Sequence, residues 1–128
     1  TLGIRSRCPH LAFDILFSKL ALDVAHPPRH PDVVEQELLR SWAQVRNSSS
    51  LRVLKIIHGY GSGGKGGTTH THVRNWAFRN RDKFRRVIEG ERYSVHDAFT
   101  QEMRKEVGLF PDADLDNANP GIILIWVK

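Results

Sequence analysis

Apolar residues along this chain follow two different spacings, which predict β-strands that alternate with α-helices. Residues 51–57 and 121–127 are nearly continuous apolar runs, typical of buried strands. Residues 20–24 form a shorter apolar run, and residues 84–88 alternate enough to be a further strand. Between these runs, apolar residues recur every three to four positions, as on one face of a helix. The clearest example is the set Val34, Leu38, Trp42 and Val45. The order β-α-β-α-β-α-β predicts an α/β domain of two or three layers.

Local signals refine the bounds of these elements. Pro31 suits the first turn of a helix, and the segment from Ser94 to Asp97 has the pattern of a capping box that begins the third helix, which Gly108 ends. Residues 84–88 are predicted to form an edge strand, and residues 121–127 a buried central strand. The acidic, turn-rich residues 111–120 are predicted to be a surface connection. We expect residues 1–19 to form an arm or a helix and residues 20–128 to form a single domain.

Composition narrows the protein class. The chain has 128 residues, which is enough to bury a core without covalent crosslinks. Cys8 is the only cysteine, so the chain has no internal disulfide partner, and we expect an intracellular, cytoplasmic setting. The apolar runs are too short to span a membrane. These features favour a soluble globular protein and exclude a disulfide scaffold.

Positive charge is concentrated in the first two thirds of the chain. Residues 1–86 hold fifteen Lys and Arg against six Asp and Glu, whereas residues 87–128 hold four against eight. The net charge is +5. A basic surface attracts polyanions, so the charge favours DNA or RNA as a partner, although the same residues could simply solvate a helix and a loop.

The most informative segment is an apolar strand that runs into a glycine-rich loop. Residues 53–57 are followed by His58 and by six glycines among residues 59–67. Such a loop, at the end of a strand and before a helix, directs backbone N–H groups towards an anion. We therefore predict a phosphate site with His58 at its mouth. Its predicted phosphate-binding residues, including neighbours outside the loop, are Gly59, Tyr60, Gly61, Ser62, Lys65, Gly66, Arg74, His26, Arg29 and His30.

Two nucleotide-binding motifs compete for the same segment. Gly59, Gly61 and Gly64 match G-x-G-x-x-G of dinucleotide sites, but the chain lacks the second half of that longer fold. The run from Gly59 to Lys65 approaches a P-loop, yet Gly66 stands where Ser or Thr must ligate the metal. The P-loop is therefore rejected, and the dinucleotide site stays a minor alternative.

The two strand ends resemble the motifs of the Smr (small MutS-related) domain family. One hallmark of the family is a strand followed by His-Gly-x-Gly, and here His58-Gly59-Tyr60-Gly61 follows residues 51–57. The other is Leu-Asp-Leu-His-Gly at the end of the first strand, where this chain has Leu22-Asp23-Val24-Ala25-His26. The strand after Asn119-Pro120-Gly121 also looks like the last strand of the family. The resemblance covers residues 20–83 and 121–128.

The resemblance implies a two-layer α/β sandwich similar to the C-terminal domain of translation initiation factor 3. It also implies binding to DNA or RNA, since Smr domains bind nucleic acids and several are endonucleases that nick DNA or cut RNA. Active-site roles fall on Asp23 and His58. The chain departs from the family pattern in three places: Ala25 and His26 replace the usual basic residue and glycine, the loop is longer, and residues 89–118 insert a helix and an acidic link before the last strand.

The residue types indicate how such a site would work. His58 would act as general acid or base, and Asp23 would orient it or assist the nucleophile. Loop N–H groups and Lys65 would stabilise charge at phosphorus. No cofactor is indicated, and a divalent metal would serve DNA hydrolysis, but the histidines lack carboxylates at ligand spacing. The alternatives are a non-catalytic nucleic-acid-binding module of the same fold and a small-molecule phosphate enzyme.

Overall fold

The computed structural model describes residues 18–59, 67–108 and 112–128. Its elements, in chain order, are β1 (Lys19–Asp23), α1 (Pro31–Arg46), β2 (Val53–Ile57), α2 (Gly67–Arg79), β3 (Phe84–Glu89), α3 (Ala98–Val107) and β4 (Ile122–Val127). Single 3₁₀ turns at Arg81–Lys83 and Gly90–Arg92 flank β3. The predicted fold class is confirmed: within these residues, four strands and three helices form an α/β two-layer arrangement in the order β-α-β-α-β-α-β.

The four strands form one mixed, open sheet in the order β1-β2-β4-β3. β1 and β2 are parallel neighbours, while β4 runs antiparallel to both β2 and β3. In the described part of the chain β3 is therefore an edge strand and β4 an interior strand, as predicted. Since β1 and β2 run in the same direction, the residues that follow them emerge at the same end of the sheet.

Apolar side chains pack on both faces of the sheet because successive residues of a strand point to opposite sides. On the first face, α1 and α2 cover the even-numbered residues of β2, Leu54 and Ile56, in the larger core. On the second face, Val53 packs with Ile122, Leu124 and Trp126 of β4, and α3 adds Met103. Every residue of β4 is buried, which explains its continuous apolar run.

The third helix begins later than its sequence pattern predicts. α3 starts at Ala98, and the side chain of Asp97 caps it by accepting a hydrogen bond from Thr100 N at 2.9 Å. Ser94 instead accepts from His96 N at 3.1 Å and forms a separate turn. The capping-box prediction was therefore wrong by three residues, because Asp97 is itself an N-cap residue and not the acidic partner of Ser94.

The acidic segment before β4 is not only a surface connection, which corrects that prediction. The carboxylate of Asp112 is fully buried and lies 2.7 Å from Lys55 Nζ and 3.4 Å from Lys19 Nζ. Asp114 pairs with the same Lys55 ammonium. Burial alone would lower the pKa of Lys55, but the hydrogen bonds with Asp112 and Asp114 outweigh it and raise that pKa. Two lysines on the second face of the sheet thus hold this segment in place.

None of the helices in the described ranges combines the length and the apolar character that a membrane crossing requires.

Candidate functional site at the ends of the first two strands

The C-terminal ends of β1 and β2 bring the two predicted catalytic residues to the same end of the sheet. Asp23 closes β1 opposite Ile57, and His58 follows Ile57 directly. Val24 N donates to Ile57 O at 3.0 Å and extends the pairing by one step. The parallel register therefore positions both motifs as the sequence predicts, although their side chains have different surroundings.

The imidazole of His58 is buried, with 1% of the residue exposed. Its Nδ1 lies 2.8 Å from the carbonyl oxygen of Gly59, which can only accept, so Nδ1 carries the proton. Its Nε2 then accepts from Arg74 Nε at 3.2 Å. Burial and the nearby Arg74 charge outweigh the Gly59 hydrogen bond and lower the pKa of His58 to about 4. The ring is therefore neutral at pH 7 and enclosed in the interior of the protein.

Arg74 lies at the centre of a buried polar cluster. NH1 donates to Glu89 at 2.8 Å and to Glu91 at 3.3 Å, and NH2 donates to Glu91 at 2.8 Å. NH2 also donates to the carbonyls of Pro120 at 3.1 Å and Ile122 at 3.2 Å. Hydrogen bonding to Arg74 lowers the pKa of Glu91. With Nε on His58, all five guanidinium N–H groups have acceptors, so the structure gives Arg74 internal partners where the sequence predicted a phosphate.

Asp23 is paired with His26. The Asp23 carboxylate accepts from the backbone N–H groups of Ala25 at 2.8 Å and His26 at 3.0 Å. Its two oxygens also lie 3.1 and 3.0 Å from His26 Nδ1. The His26 side chain is 71% exposed and that of Asp23 39% exposed. The carboxylate thus orients an imidazole that solvent can reach, and this imidazole is His26.

An open cleft of about 430 Å³ lies beside this pair, between the outer edge of β1 and α1. Its lining includes Asp23, His26, Arg29 and Glu37. Arg29 NH1 donates to the backbone carbonyl of Asp23 at 2.6 Å and lies 3.5 Å from Glu37 Oε1. The cleft therefore holds one cation, one oriented imidazole and two carboxylates within reach of solvent.

His30 has a local structural contact. It is the N-cap of α1, and its Nδ1 accepts from Asp32 N at 3.1 Å. A histidine in this position satisfies one of the free N–H groups of the first helical turn. Because its side chain is 68% exposed, the remaining ring nitrogen is still accessible next to the cleft.

The start of the glycine-rich loop is held by Gly121, the residue before β4. Both His58 N and Gly59 N donate to the carbonyl of Gly121, at 2.9 and 3.1 Å. Gly59 has φ of +82°, a left-handed conformation that disfavours residues with a Cβ. The Gly59 amide is therefore engaged within the protein. The other predicted loop ligands, Tyr60, Gly61, Ser62, Lys65 and Gly66, lie outside the described residues.

Two further histidines lie near this end of the sheet, in α2. The His70 ring meets the His58 ring edge to face, with centroids 4.7 Å apart, and its pKa is lowered by burial and by Arg74. His72 Nε2 lies 3.5 Å from Glu35 Oε1. Within the described ranges, no group of three or more His, Cys, Asp or Glu side chains has an arrangement that could hold a metal ion.

The predicted site residues fall into two groups. Asp23, His26 and Arg29 line the open cleft, whereas His58 and Arg74 belong to the buried cluster. Sequence reasoning missed Glu89 and Glu91 as partners of Arg74. The available signal was the position of Arg74 next to Val73, an inner-face residue of α2. A buried arginine needs carboxylate partners, and Glu89 and Glu91 lie at the end of β3.

The chain matches no family model, no curated protein and no solved structure.

Proposed function

We propose that this chain is a nucleic-acid-binding domain of the Smr type that cleaves phosphodiester bonds of DNA or RNA. The observation that carries the proposal is the Asp23–His26 pair, an exposed imidazole held by a carboxylate at the edge of a cleft that also contains Arg29. A carboxylate that binds one ring nitrogen fixes the tautomer and the orientation of the imidazole, as it does in hydrolases with an Asp–His pair. The net charge of +5 supports a polyanionic substrate.

In this proposal His26 transfers the proton. The Asp23 carboxylate occupies Nδ1, so Nε2 is the nitrogen that accepts a proton from the attacking hydroxyl group. On RNA that group is the neighbouring 2′-hydroxyl, and on DNA it is a water molecule. Its oxygen bonds to phosphorus while the P–O bond to the leaving nucleotide breaks, and the proton held on Nε2 passes to that leaving oxygen. The Arg29 guanidinium supports the charge that develops on the phosphate oxygens. Aspartate and histidine thereby keep the functions that the resemblance implies, with His26 in place of His58.

His58 supports the site without exchanging a proton. Its neutral ring accepts from Arg74 and donates to Gly59, so it ties the start of the glycine-rich loop to the interior. Gly59 also meets Ala25 of the first motif, since a Cβ placed on Gly59 would lie 3.5 Å from the Ala25 Cβ. Gly59 therefore lies next to the Asp23–His26 turn.

Cleavage assays on supercoiled plasmid DNA and on a structured RNA, each with and without EDTA, test this proposal. We expect His26→Ala to slow cleavage by about a hundredfold or more, because general acid–base catalysis contributes about 10²–10⁴-fold. Asp23→Asn should also slow it strongly, because an amide NH₂ that donates to Nδ1 moves the ring proton to Nε2, the nitrogen that must accept. The matched control is His96→Ala, which removes an exposed histidine from the turn before α3. Wild-type rates in His26→Ala, beside active His96→Ala, would refute the assignment.

A non-catalytic nucleic-acid-binding module of the same fold is the second candidate. The observation that favours it is the burial of His58, whose pKa of about 4 and internal partners remove it from proton transfer near pH 7. If wild-type protein binds polynucleotide with a steep salt dependence and cuts neither substrate, this candidate replaces the nuclease.

A further inference from the structure

A second cleft, of about 310 Å³, lies at the opposite edge of the sheet from Asp23 and His26. We call it the arginine groove, and its lining includes Phe78, Arg81, Arg85, Arg86, Val87 and Phe99. Phe78 belongs to the last turn of α2 and Phe99 to the first turn of α3. The groove therefore crosses β3, which is an edge strand in the described part of the chain.

An irregularity in β3 places two consecutive arginines in this groove. The pairing of β3 with β4 shifts register between Phe84 and Arg86, which leaves Arg85 as an extra residue. The guanidinium carbon of Arg85 lies 5.4 Å from the ring centroid of Trp126, and that of Arg86 lies 4.3 Å from the ring centroid of Phe99. In a regular strand two successive side chains would point to opposite faces.

The aromatic side chains of the groove are unusually accessible. Phe78 is 49% exposed and Phe99 is 45% exposed. A large apolar ring normally gains by burial, and here the Phe99 ring instead lies against the Arg86 guanidinium. The Arg86 guanidinium over Phe99 is itself a flat surface. Aromatic rings and guanidinium planes that alternate in an open groove are the surfaces on which unpaired bases stack.

The charge around the groove selects the partner. Arg81, Arg85 and Arg86 are exposed, and Asp82 is the acidic residue of the lining. Glu102 lies 3.4 Å from Arg86 and is half exposed. Arg79 and Lys83 lie on the same stretch of chain and add to the positive potential. This excess of positive charge favours an anionic partner. A nucleic acid fits better than an acidic peptide, because its bases can also stack on the exposed rings.

We propose that the arginine groove is a binding site for single-stranded nucleic acid, in which Phe78 and Phe99 stack on bases and Arg81, Arg85 and Arg86 contact phosphates. This site is separate from the Asp23–His26 cleft, since three interstrand spacings of about 4.8 Å, roughly 14 Å in all, separate β1 from β3. The choice of nucleic acid as the ligand rests on the proposed nuclease function. Binding in the groove does not depend on cleavage.

Fluorescence anisotropy with a labelled thymidine oligonucleotide of about 15 residues, a length suited to one domain, tests the proposal. We expect Phe78→Ala and Phe99→Ala each to raise Kd about fivefold or more, the lower end of the loss for one stacked base. Phe99→Trp should retain affinity and Phe99→Leu should lose it, because leucine keeps apolar area without a ring face. The matched control is Leu39→Ala, an exposed apolar residue of α1 that is 45% accessible.

The arginines are tested by the salt dependence of the same titration. Arg85→Gln should reduce the slope of log K against log salt by about 0.7, the value for one phosphate contact on a single strand. Arg40→Gln, which removes an exposed arginine from α1, should leave that slope unchanged. Phe99→Ala should weaken binding while leaving the slope as it is.

Two further probes distinguish binding by base stacking from binding by charge. One has no bases, and in the other the bases are already stacked on each other. Inorganic polyphosphate and duplex DNA should bind Phe78→Ala and Phe99→Ala as they bind wild type. Equal losses on all probes, or wild-type binding of the oligonucleotide by both variants, would overturn the groove assignment. His26→Ala separates the two proposals: loss of cleavage with retained oligonucleotide binding supports both. Phenylalanine-dependent binding by a protein that never cuts refutes the nuclease and keeps the groove.

Discussion

The buried cluster around Arg74 predicts a large loss of stability when its cation is removed. In Arg74→Met, the length and much of the apolar stem are kept, but all five N–H donors are lost. His58 Nε2 and the carbonyls of Pro120 and Ile122 then lose the hydrogen bonds described above. Glu89 and Glu91 lose their cation at the same time.

The magnitude follows from how accessible those groups are. Removing one partner of a buried ion pair costs about 3–5 kcal/mol. The side chains of Glu89 and Glu91 are 32% and 45% exposed, so water replaces part of the lost interaction. The lower end applies, and we expect the free energy of unfolding to fall by about 3 kcal/mol, with a Tm lower by about 10 °C.

Urea unfolding followed by circular dichroism measures this loss, and Arg86→Met is the matched control. Arg86 pairs with Glu102 at 3.4 Å, but these side chains are 43% and 52% exposed. Exposed pairs contribute about 0–1 kcal/mol, so the control should lose less than about 1 kcal/mol. A loss in Arg74→Met no greater than that in Arg86→Met would refute the view that the cluster holds this end of the sheet together.

Two other predictions concern acid stability and the start of α3. Because the pKa of His58 falls from its ordinary 6.5 to about 4, the unfolded chain takes up a proton between those values that the folded chain does not. The free energy of unfolding should therefore fall by about 2–3 kcal/mol as pH drops from about 6.5 to 4, and His58→Gln should flatten that dependence. Asp97→Ala should cost about 1 kcal/mol through loss of the N-cap, whereas Ser94→Ala should cost less than about 0.5 kcal/mol.

Urea unfolding measures both effects. The His58 prediction is tested at a series of pH values, and the N-cap prediction at a single pH. A stability profile for His58→Gln that parallels wild type from pH 7 to 4 would contradict the first. His96→Gln, from the exposed turn before α3, supplies its histidine control. Equal losses in Asp97→Ala and Ser94→Ala would show that the cap is assigned to the wrong residue.

The order of elements was predictable because it depends on local pattern. The apolar run of residues 51–57 and the fully apolar β4 identify interior strands without knowledge of their neighbours. Pro31 marks the start of α1 because it tolerates only the first turn of a helix. Capping was less predictable, since Ser94 and Asp97 are both good N-cap residues and tertiary contacts choose between them.

The details of the site depended on partners that are remote in sequence. His58 and Arg74 are sixteen residues apart, and Arg74 reaches Ile122 forty-eight residues away. No spacing rule identifies such pairs. Asp23 and His26 are three residues apart, but their pairing depends on the turn that follows β1. The Leu-Asp-Leu-His-Gly motif has its histidine two residues after the aspartate, so it does not predict this pair. The sequence therefore predicted that the two strand ends meet, whereas the partners of each histidine came only from the structure.

The position of β4 sets the order in which the molecule can mature. This strand is translated after all the others described, yet it lies between β2 and β3, and the carbonyl of Gly121 directly before it anchors His58 and Gly59. While β4 is still inside the ribosome, β2 and β3 lack the neighbour that joins them, and Arg74 lacks two of its acceptors. The anchoring of His58 and Gly59 consequently arises only after Gly121 and β4 have emerged from the ribosome.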